Sequence, residues 1–367
     1  MQALILAGGE GTRLRPLTST VPKPVVPLAN RPFISFMIAW LRRHGVDDVI
    51  LSCGFMAERV RDVLGDGESL GVRLRYVEEP RPLGTGGALR YAGDLLDERF
   101  LMLNGDVLSD IDLSAQLRRH EQTGARGTIA LVAVEDPSAY GLVQRNPDNS
   151  VSEFLEKPSP DEIDSNLINA GAYVLDRSIL DEMAPGGTTI SIERDVFPTL
   201  VGRGLYGFEA TGYWLDIGTP DGYLQATFDI LEGNVETEVG TRLEDARGVL
   251  ADGVSVDGRL VAPALVAGGS TIEQGAIVGG RVVLGAGVTI GPGSHVENSV
   301  VLAGATIGAH TTISSSIVGA GARIGDHCHL DAGVVLGDRV ALGEGNMLTA
   351  GARVFPDVAL PAGAIRF

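Results

Sequence analysis

Three glycines near the front of the chain, Gly8, Gly9 and Gly11, are followed by Thr12, Arg13 and Arg15, and Lys23 stands between Pro22 and Pro24. A glycine-rich turn after a first aliphatic strand, here ending in Leu6 and Ala7, lets backbone N–H groups approach an anion closely. The cations add charge that a plain turn does not need. The two prolines restrict the backbone around the lysine, so less entropy is lost when it is held against a ligand. The combination suits a polyphosphate. Neither common phosphate fingerprint fits, because no Gly-Lys-Ser/Thr occurs and a dinucleotide pattern begun at Gly9 and Gly11 would need its third glycine at Leu14.

Carboxylates stand where such a site would need them. "LMLNGDV" ends a predicted strand with Asp106, and strand ends are where open α/β sheets bind ligands. A carboxylate there can hold Mg²⁺ against phosphate oxygens. "GYWLDIGTPDGY" supplies Asp216 on the turn leading to a helix that starts with Thr219 as cap and Pro220 as first residue. Asp112, before "LSAQLRRHEQ", reads as a helix cap. "FLEKP" sets Glu156 and Lys157 before Pro158 at another strand end. No Ser, His and Asp set and no activated Cys accompanies these motifs, so a covalent intermediate is not indicated.

The elements that must position these groups fall into two textures. From Ala3 to about Gly233, "ALILAG", "DDVILSCG", "VRLRYVEE", "RFLMLNGD" and "GTIALVAV" read as buried strands, and "RPFISFMIAWLRRHG" reads as a helix bounded by Pro32 and Gly45. Their alternation predicts an α/β fold with a Rossmann-like, doubly wound and mostly parallel sheet. From about Val254 an aliphatic residue recurs every sixth position, on one register from Val254 to Leu302 and on another from Val318 to Leu360. Ile307 and Ile313 bridge the two with a one-residue slip on each side. The hexapeptide repeat resembles the left-handed parallel β-helix, with about six triangular coils. The acidic, weakly patterned stretch between the textures is expected to be a linker, which divides the chain into residues 1–233, 234–250 and 251–367.

Composition limits the partners. A balance of 29 Lys and Arg against 47 Asp and Glu gives a formal charge of -18, which repels a nucleic-acid backbone. No apolar run reaches the length of a membrane span, no signal sequence precedes the first strand, and Cys53 and Cys328 do not form a disulfide framework. A cytoplasmic protein is expected.

On these motifs the chain resembles the sugar-1-phosphate nucleotidyltransferases, or NDP-sugar pyrophosphorylases, over nearly its whole length. The resemblance implies that Leu6, Ala7, Gly8, Gly9, Gly11 and Thr12 hold a nucleoside triphosphate, with Arg13 and Lys23 on its phosphates. It implies Mg²⁺ on Asp106 and Asp216, Lys157 on the sugar phosphate and Glu156 on sugar hydroxyls. Tyr140 and Gly141 of "AYGLV" and Asn169 and Gly171 of "INAGAY" match sugar-pocket segments. Arg13, Lys23 and Lys157 would stabilise the in-line attack of the sugar phosphate on the α-phosphorus.

"EEPRPLGTGGALRYA" is similar to the base-facing segment, with Gly84, Thr85 and Gly86 on the nucleotide. Its GTGGA run is closer to the GTAGA form of mannose-1-phosphate guanylyltransferases than to the Gly-Leu-Ala-Gln of thymidylyltransferases, and "SIERDVFP" leans the same way. GTP and mannose 1-phosphate are the expected substrates, against thymidylyl or uridylyl transfer to glucose 1-phosphate or a promiscuous enzyme. Two other classes compete. A hexapeptide-repeat acyltransferase or metal site could use "DHCHLD", but the register turns Cys328 inward and His327 and His329 outward, with His295 and His310 in other repeats. A non-catalytic regulatory homologue would be expected to lack some of the phosphate and metal residues. The repeat tail is expected to assemble homo-oligomers.

Overall fold

The computed structural model describes residues 1–184 and 187–366, so Phe367, the last residue of the expected tail, lies outside the described residues. Its contacts divide the chain into two compact units. One joins Met1–Glu10 to Ile34–Trp214, and the other joins Gly11–Phe33 to the chain from Leu215 onward. That division differs from the sequential one drawn from composition, because the cationic half of the front loop groups with the repeat tail.

In the first unit the five expected strands form as β1 (Gln2–Ala7), β2 (Asp48–Cys53), β3 (Arg73–Glu78), β4 (Arg99–Asn104) and β5 (Gly127–Ala133). They are joined by β6 (Gly141–Arg145), β7 (Val151–Glu156), β8 (Leu167–Asp176) and β9 (Leu205–Glu209) in one nine-stranded sheet. β4, β1, β2 and β3 are parallel neighbours; the aliphatic runs of β4, β1 and β2 are buried as two-sided packing requires, whereas β3, at the edge, buries only Leu74 and Val77. The other half is mixed: β8 runs antiparallel to β4, β5 and β6, and β7 antiparallel to β6, while β9 lies parallel to β5. The sheet is therefore less parallel than expected. Residues 146–150 alone connect β6 to β7, too few for a crossover, so the pair closes as a hairpin.

Helix α1 (Phe33–Arg43) follows Pro32 and closes with Arg42 and Arg43 in its last turn, before Gly45 at φ +76. α2 (Ala57–Leu64) and α3 (Gly84–Tyr91) alternate with the parallel strands, and α4 (Leu113–Thr123) precedes β5. Asp112 caps α4 as expected, accepting from the Ala115 N–H at 2.9 Å. The core gathers Tyr173, Phe154 and Phe197 with aliphatics of the sheet, the rings of Tyr173 and Phe197 lying 5.2 Å apart.

In the second unit, residues 11–33 make three short 3₁₀ turns, Thr12–Leu14, Leu17–Ser19 and Lys23–Val25. α5 (Pro220–Glu232) starts at its Thr219 cap, which accepts from Gly222 N–H. The stretch expected as a linker folds into α6 (Glu238–Asp245), capped by Thr237 and burying Val239 and Leu243 on one face. Val249–Leu250 already belongs to the repeat.

The repeat forms three parallel sheets of seven, seven and six strands, a parallel β-helix slightly longer than the six coils expected. One aliphatic ladder runs Val266, Leu284, Val301, Val318, Leu336, Val354. Another runs Ile272, Ile290, Ile307, Ile324, Leu342, Leu360, and a third Val278, Val296, Ile313, Leu330, Leu348. Here the register departs from expectation, since Val301 rather than Leu302 stacks on Leu284 and the slip falls between Val296 and Val301. Two adjacent apolar residues made both readings possible in sequence, and only the stacking partner decides between them.

Cys328 points inward, 2% exposed, while His327 is exposed and His329 half-buried. The cysteine takes a place in a polar ladder. Ser294 donates to Gly308 O at 2.6 Å, Thr311 to Gly325 O at 2.9 Å, the Cys328 thiol to Gly343 O at 3.3 Å and Asn346 to Pro361 O at 2.9 Å. Burial pushes the Cys328 thiol up, which suits a structural donor better than a nucleophile. His310 and His327, expected in separate repeats, stack one coil apart with rings 5.3 Å apart. Among the described residues no group of three or more His, Cys, Asp or Glu could form a metal cage, and no helix is long and apolar enough to cross a membrane.

Candidate active site

The first unit carries the opening of the loop expected to hold phosphate and the residues expected on the sugar side. Leu6 and Ala7 end β1, and the turn beyond β4 is pressed against them: Gly105 N–H donates to Leu6 O at 2.9 Å, and a Cβ at Gly105 would lie 2.3 Å from that oxygen. Only glycine allows this approach, which sets Asp106 beside the start of the loop. A Cβ at Gly8 would lie 2.7 Å from Glu79 Oε1, whereas one at Gly9 would meet nothing, leaving that backbone open to a ligand. Glu79 ties the loop to the expected base-facing segment, accepting from the Ser52 hydroxyl at 2.9 Å and the Leu83 N–H at 3.1 Å.

Gly84, Thr85 and Gly86 open α3. Their chemistry is turned largely toward the protein: Gly86 and Gly87 N–H groups donate to Ile190 O at 2.9 and 3.1 Å, and a Cβ at Gly87 would lie 2.6 Å from Thr188 O. The glycines thus admit the 188–192 segment onto the helix. Gly84 itself is exposed.

The sugar-side motifs converge. Gly141 pairs with Glu156 across β6 and β7, and Lys157 N–H donates to Tyr140 O at 3.2 Å. Lys157 holds a left-handed φ of +55, unusual for a side chain with a Cβ and a common feature of functional strand ends. Asn169 donates to the Tyr173 hydroxyl at 2.8 Å and accepts from Gly171 N–H at 3.0 Å, while a Cβ at Gly171 would lie 2.9 Å from Asn104 Nδ2. Trp214 joins the two groups, edge-on to Tyr140 at 5.4 Å and donating to Ala170 O at 2.8 Å.

Sequence reasoning assigned no role to Glu193, which the structure places among these residues. It accepts from the Thr85 and Ser191 hydroxyls at 2.6 and 2.7 Å. Burial, and then the charge of Glu193, push the Glu156 carboxyl up, against the opposing pull of Lys157 and Arg194. The only signal was its place in "SIERDVFP", a stretch singled out without a named residue.

The second unit carries the cations and the other carboxylate. Gly11 stands at φ +61, and a Cβ there would crowd Thr18 and Lys23 at 3.1 and 3.2 Å. Thr12 and Arg13 are exposed, whereas Lys23 is buried. Arg13 Nη2 lies 3.5 Å from Asp216 Oδ2, and Asp216 Oδ1 accepts from Gly218 N–H at 2.7 Å. Asp106 of the first unit and Asp216 of the second are each hard oxygen donors of the kind that bind a divalent cation alongside substrate phosphates.

An α/β sheet with a glycine turn at its first strand end and a polar cluster at neighbouring strand ends is the arrangement of a nucleotide-handling transferase. The family described as Nucleotidyl transferase matches residues 2–233, and the GMPPB C-terminal domain matches residues 260–362. A mannose-1-phosphate guanylyltransferase of Mycobacterium tuberculosis is 38% identical over 82% of this chain and 79% of its own. A UTP–glucose-1-phosphate uridylyltransferase of Synechocystis is 32% identical over 82% of each. The crystal structure of HddC from Yersinia pseudotuberculosis superposes with a TM-score of 0.54 at 30% identity, covering 61% of this chain and 97% of that one. The chain belongs to the nucleotidyl transferase family, as a sugar-1-phosphate nucleotidyltransferase.

Proposed function

We propose that the enzyme makes GDP-mannose and pyrophosphate from GTP and mannose 1-phosphate, with Mg²⁺. The observation that carries the sugar-phosphate side is the convergence of Tyr140, Gly141, Glu156, Lys157, Asn169 and Gly171 within one unit. Support for GTP comes from the GTGGA run and from the guanylyltransferase relative at 38% identity.

Backbone N–H groups of Gly8, Gly9, Gly11 and Thr12 receive the triphosphate, with Arg13 and Lys23 on its oxygens. Lys157 holds the sugar phosphate and Glu156 accepts sugar hydroxyls. An oxygen of the sugar phosphate attacks the α-phosphorus in line; its new P–O bond forms as the bond to the bridging α,β-oxygen breaks, and pyrophosphate carries the electron pair away. Charge grows on the phosphoryl oxygens, where Arg13, Lys23 and Lys157 would stabilise it. Mg²⁺ held by Asp106 and Asp216 would neutralise part of that charge. Catalysis on this reading is positioning and electrostatics. The β-helix supports self-association through its stacked faces, in a cytoplasmic protein.

The test is pyrophosphate release with Mg²⁺ across GTP, dTTP, UTP, ATP and CTP against mannose 1-phosphate, glucose 1-phosphate and N-acetylglucosamine 1-phosphate. GTP with mannose 1-phosphate should dominate. Comparable rates with UTP or dTTP and glucose 1-phosphate would overturn the assignment.

A further inference from the structure

Residues 11–33 carry Arg13, Arg15 and Lys23 but join no extensive sheet. The bonds within them are short and local, such as Leu14 N–H to Gly11 O at 3.0 Å, Val25 N–H to Pro22 O at 3.0 Å and the Thr18 hydroxyl to Gly11 O at 2.7 Å. Three 3₁₀ turns of this kind do not fix a backbone by themselves. The carbonyl oxygens of Arg13 and Arg15 are instead held from the β-helix. Arg353 Nη1 donates to Arg13 O at 3.1 Å and to Arg15 O at 3.0 Å.

Two more contacts come from the same side of the repeat. The Thr20 hydroxyl donates to Asp338 Oδ2 at 2.5 Å, and Asn30 Nδ2 donates to Leu284 O at 2.9 Å. Asp338 is itself fixed: it is 8% exposed, and its other oxygen accepts from Ala320 N–H at 2.9 Å. Arg353 pairs in register with Val335 in the sheet that carries Leu284. A rigid face of the β-helix therefore holds the loop at three points. One guanidinium nitrogen grips the backbone on both sides of Leu14, which sets the direction in which the Arg13 and Arg15 side chains leave the chain.

We propose that Arg353 is a positioning residue for nucleotide binding, acting with Asp338 to hold the cationic loop in register, so that the β-helix contributes to the reaction through the loop as well as to assembly. The proposal rests on the reading of this loop as the triphosphate site. Arg353 is exposed, so shortening it opens no cavity in the core. Lysine can keep a charge and donors there but carries them on a shorter, freely turning head, without the planar guanidinium that fixes the directions of the two N–H groups.

The experiment compares Arg353→Ala and Arg353→Lys with Arg323→Ala, an exposed arginine on a different sheet of the repeat. Amide exchange over residues 11–20 is followed in the ligand-free protein, and KM is measured separately for GTP and mannose 1-phosphate. Arg353→Ala should speed exchange in that segment and raise the KM for GTP about tenfold, with the KM for mannose 1-phosphate unchanged. Arg353→Lys should fall between it and the wild type, and Arg323→Ala should match the wild type in both. Unchanged exchange in Arg353→Ala would overturn the clamp. Faster exchange with an unchanged KM for GTP would instead overturn the loop's assignment to the nucleotide. Exchange needs no substrate, so the two failures are told apart.

Discussion

In the sheet unit each close contact is made once: Gly105 is needed because Leu6 O comes within 2.3 Å of where its Cβ would be, and Gly87 because Thr188 O does so at 2.6 Å. In the β-helix one contact is made repeatedly, each aliphatic residue stacking on its counterpart one coil away and Ser294, Thr311, Cys328 and Asn346 donating in succession along one corner. A repeat divides stability among nearest neighbours, so damage to one coil stays local. The sheet unit concentrates its irregular features where the chemistry is, and a displaced strand end there has no duplicate to take its place. The difference separates a stack whose inner ladders hold the fold, and which reaches the reaction only through the loop that Arg353 grips, from strand ends proposed to meet substrate, and variants in the two regions should separate accordingly.

The largest effect falls on the carboxylates. Asp106→Asn or Asp216→Asn should lower Mg²⁺-dependent kcat by roughly a thousandfold or more, with the melting temperature nearly unchanged. Steady-state turnover beside thermal unfolding checks this, and retained activity in either variant would remove that residue from the metal site. Leu330→Ala, in a fully buried ladder position, should cost about 3 kcal/mol of stability in denaturant unfolding while kcat stays near wild type. A large loss of kcat in the still-folded variant would break the proposed division of labour.

A smaller effect lies at the edge of the sheet unit. Burial alone would push Asp48 up, but hydrogen bonds from Arg73, Gln2 and Arg75 outweigh it and hold the carboxyl at about 2. Its folded pKa lies below the unfolded value of roughly 4, so the stabilisation is complete above pH ~4 and is lost as the pH falls toward 2. Asp48→Asn should therefore cost about 2 kcal/mol at pH 7, with the gap narrowing as unfolding is measured from about pH 4 down to about pH 2. The smallest effect is expected on the outside of the β-helix. Replacing His327 and His329 by alanine should shift stability by no more than ~0.5 kcal/mol and leave nucleotidyl transfer intact; loss of a measurable acetyl-CoA activity would revive an acyltransferase reading.

The same contrast governs how much could be read before the structure. Periodic features were legible because each residue's role is repeated: six-residue spacing placed Cys328 inward, and strand-end position placed Asp106 beside the loop. Caps were legible because Asp112 and Thr219 act within three residues of themselves. The antiparallel half of the sheet, the helix at Glu238–Asp245 and the choice of Val301 over Leu302 depended on partners that local pattern does not name. Glu193 and Arg353 were invisible for the same reason, since the first acts through Thr85 and the second grips carbonyls more than three hundred positions away in the chain.

The most direct test of the central claim is a competition in one vessel: equimolar GTP, dTTP, UTP, ATP and CTP with Mg²⁺ and a mixture of mannose 1-phosphate and glucose 1-phosphate, with products identified by mass. The account predicts GDP-mannose as the dominant product at early times. UDP-glucose or dTDP-glucose formed at a comparable rate would contradict it.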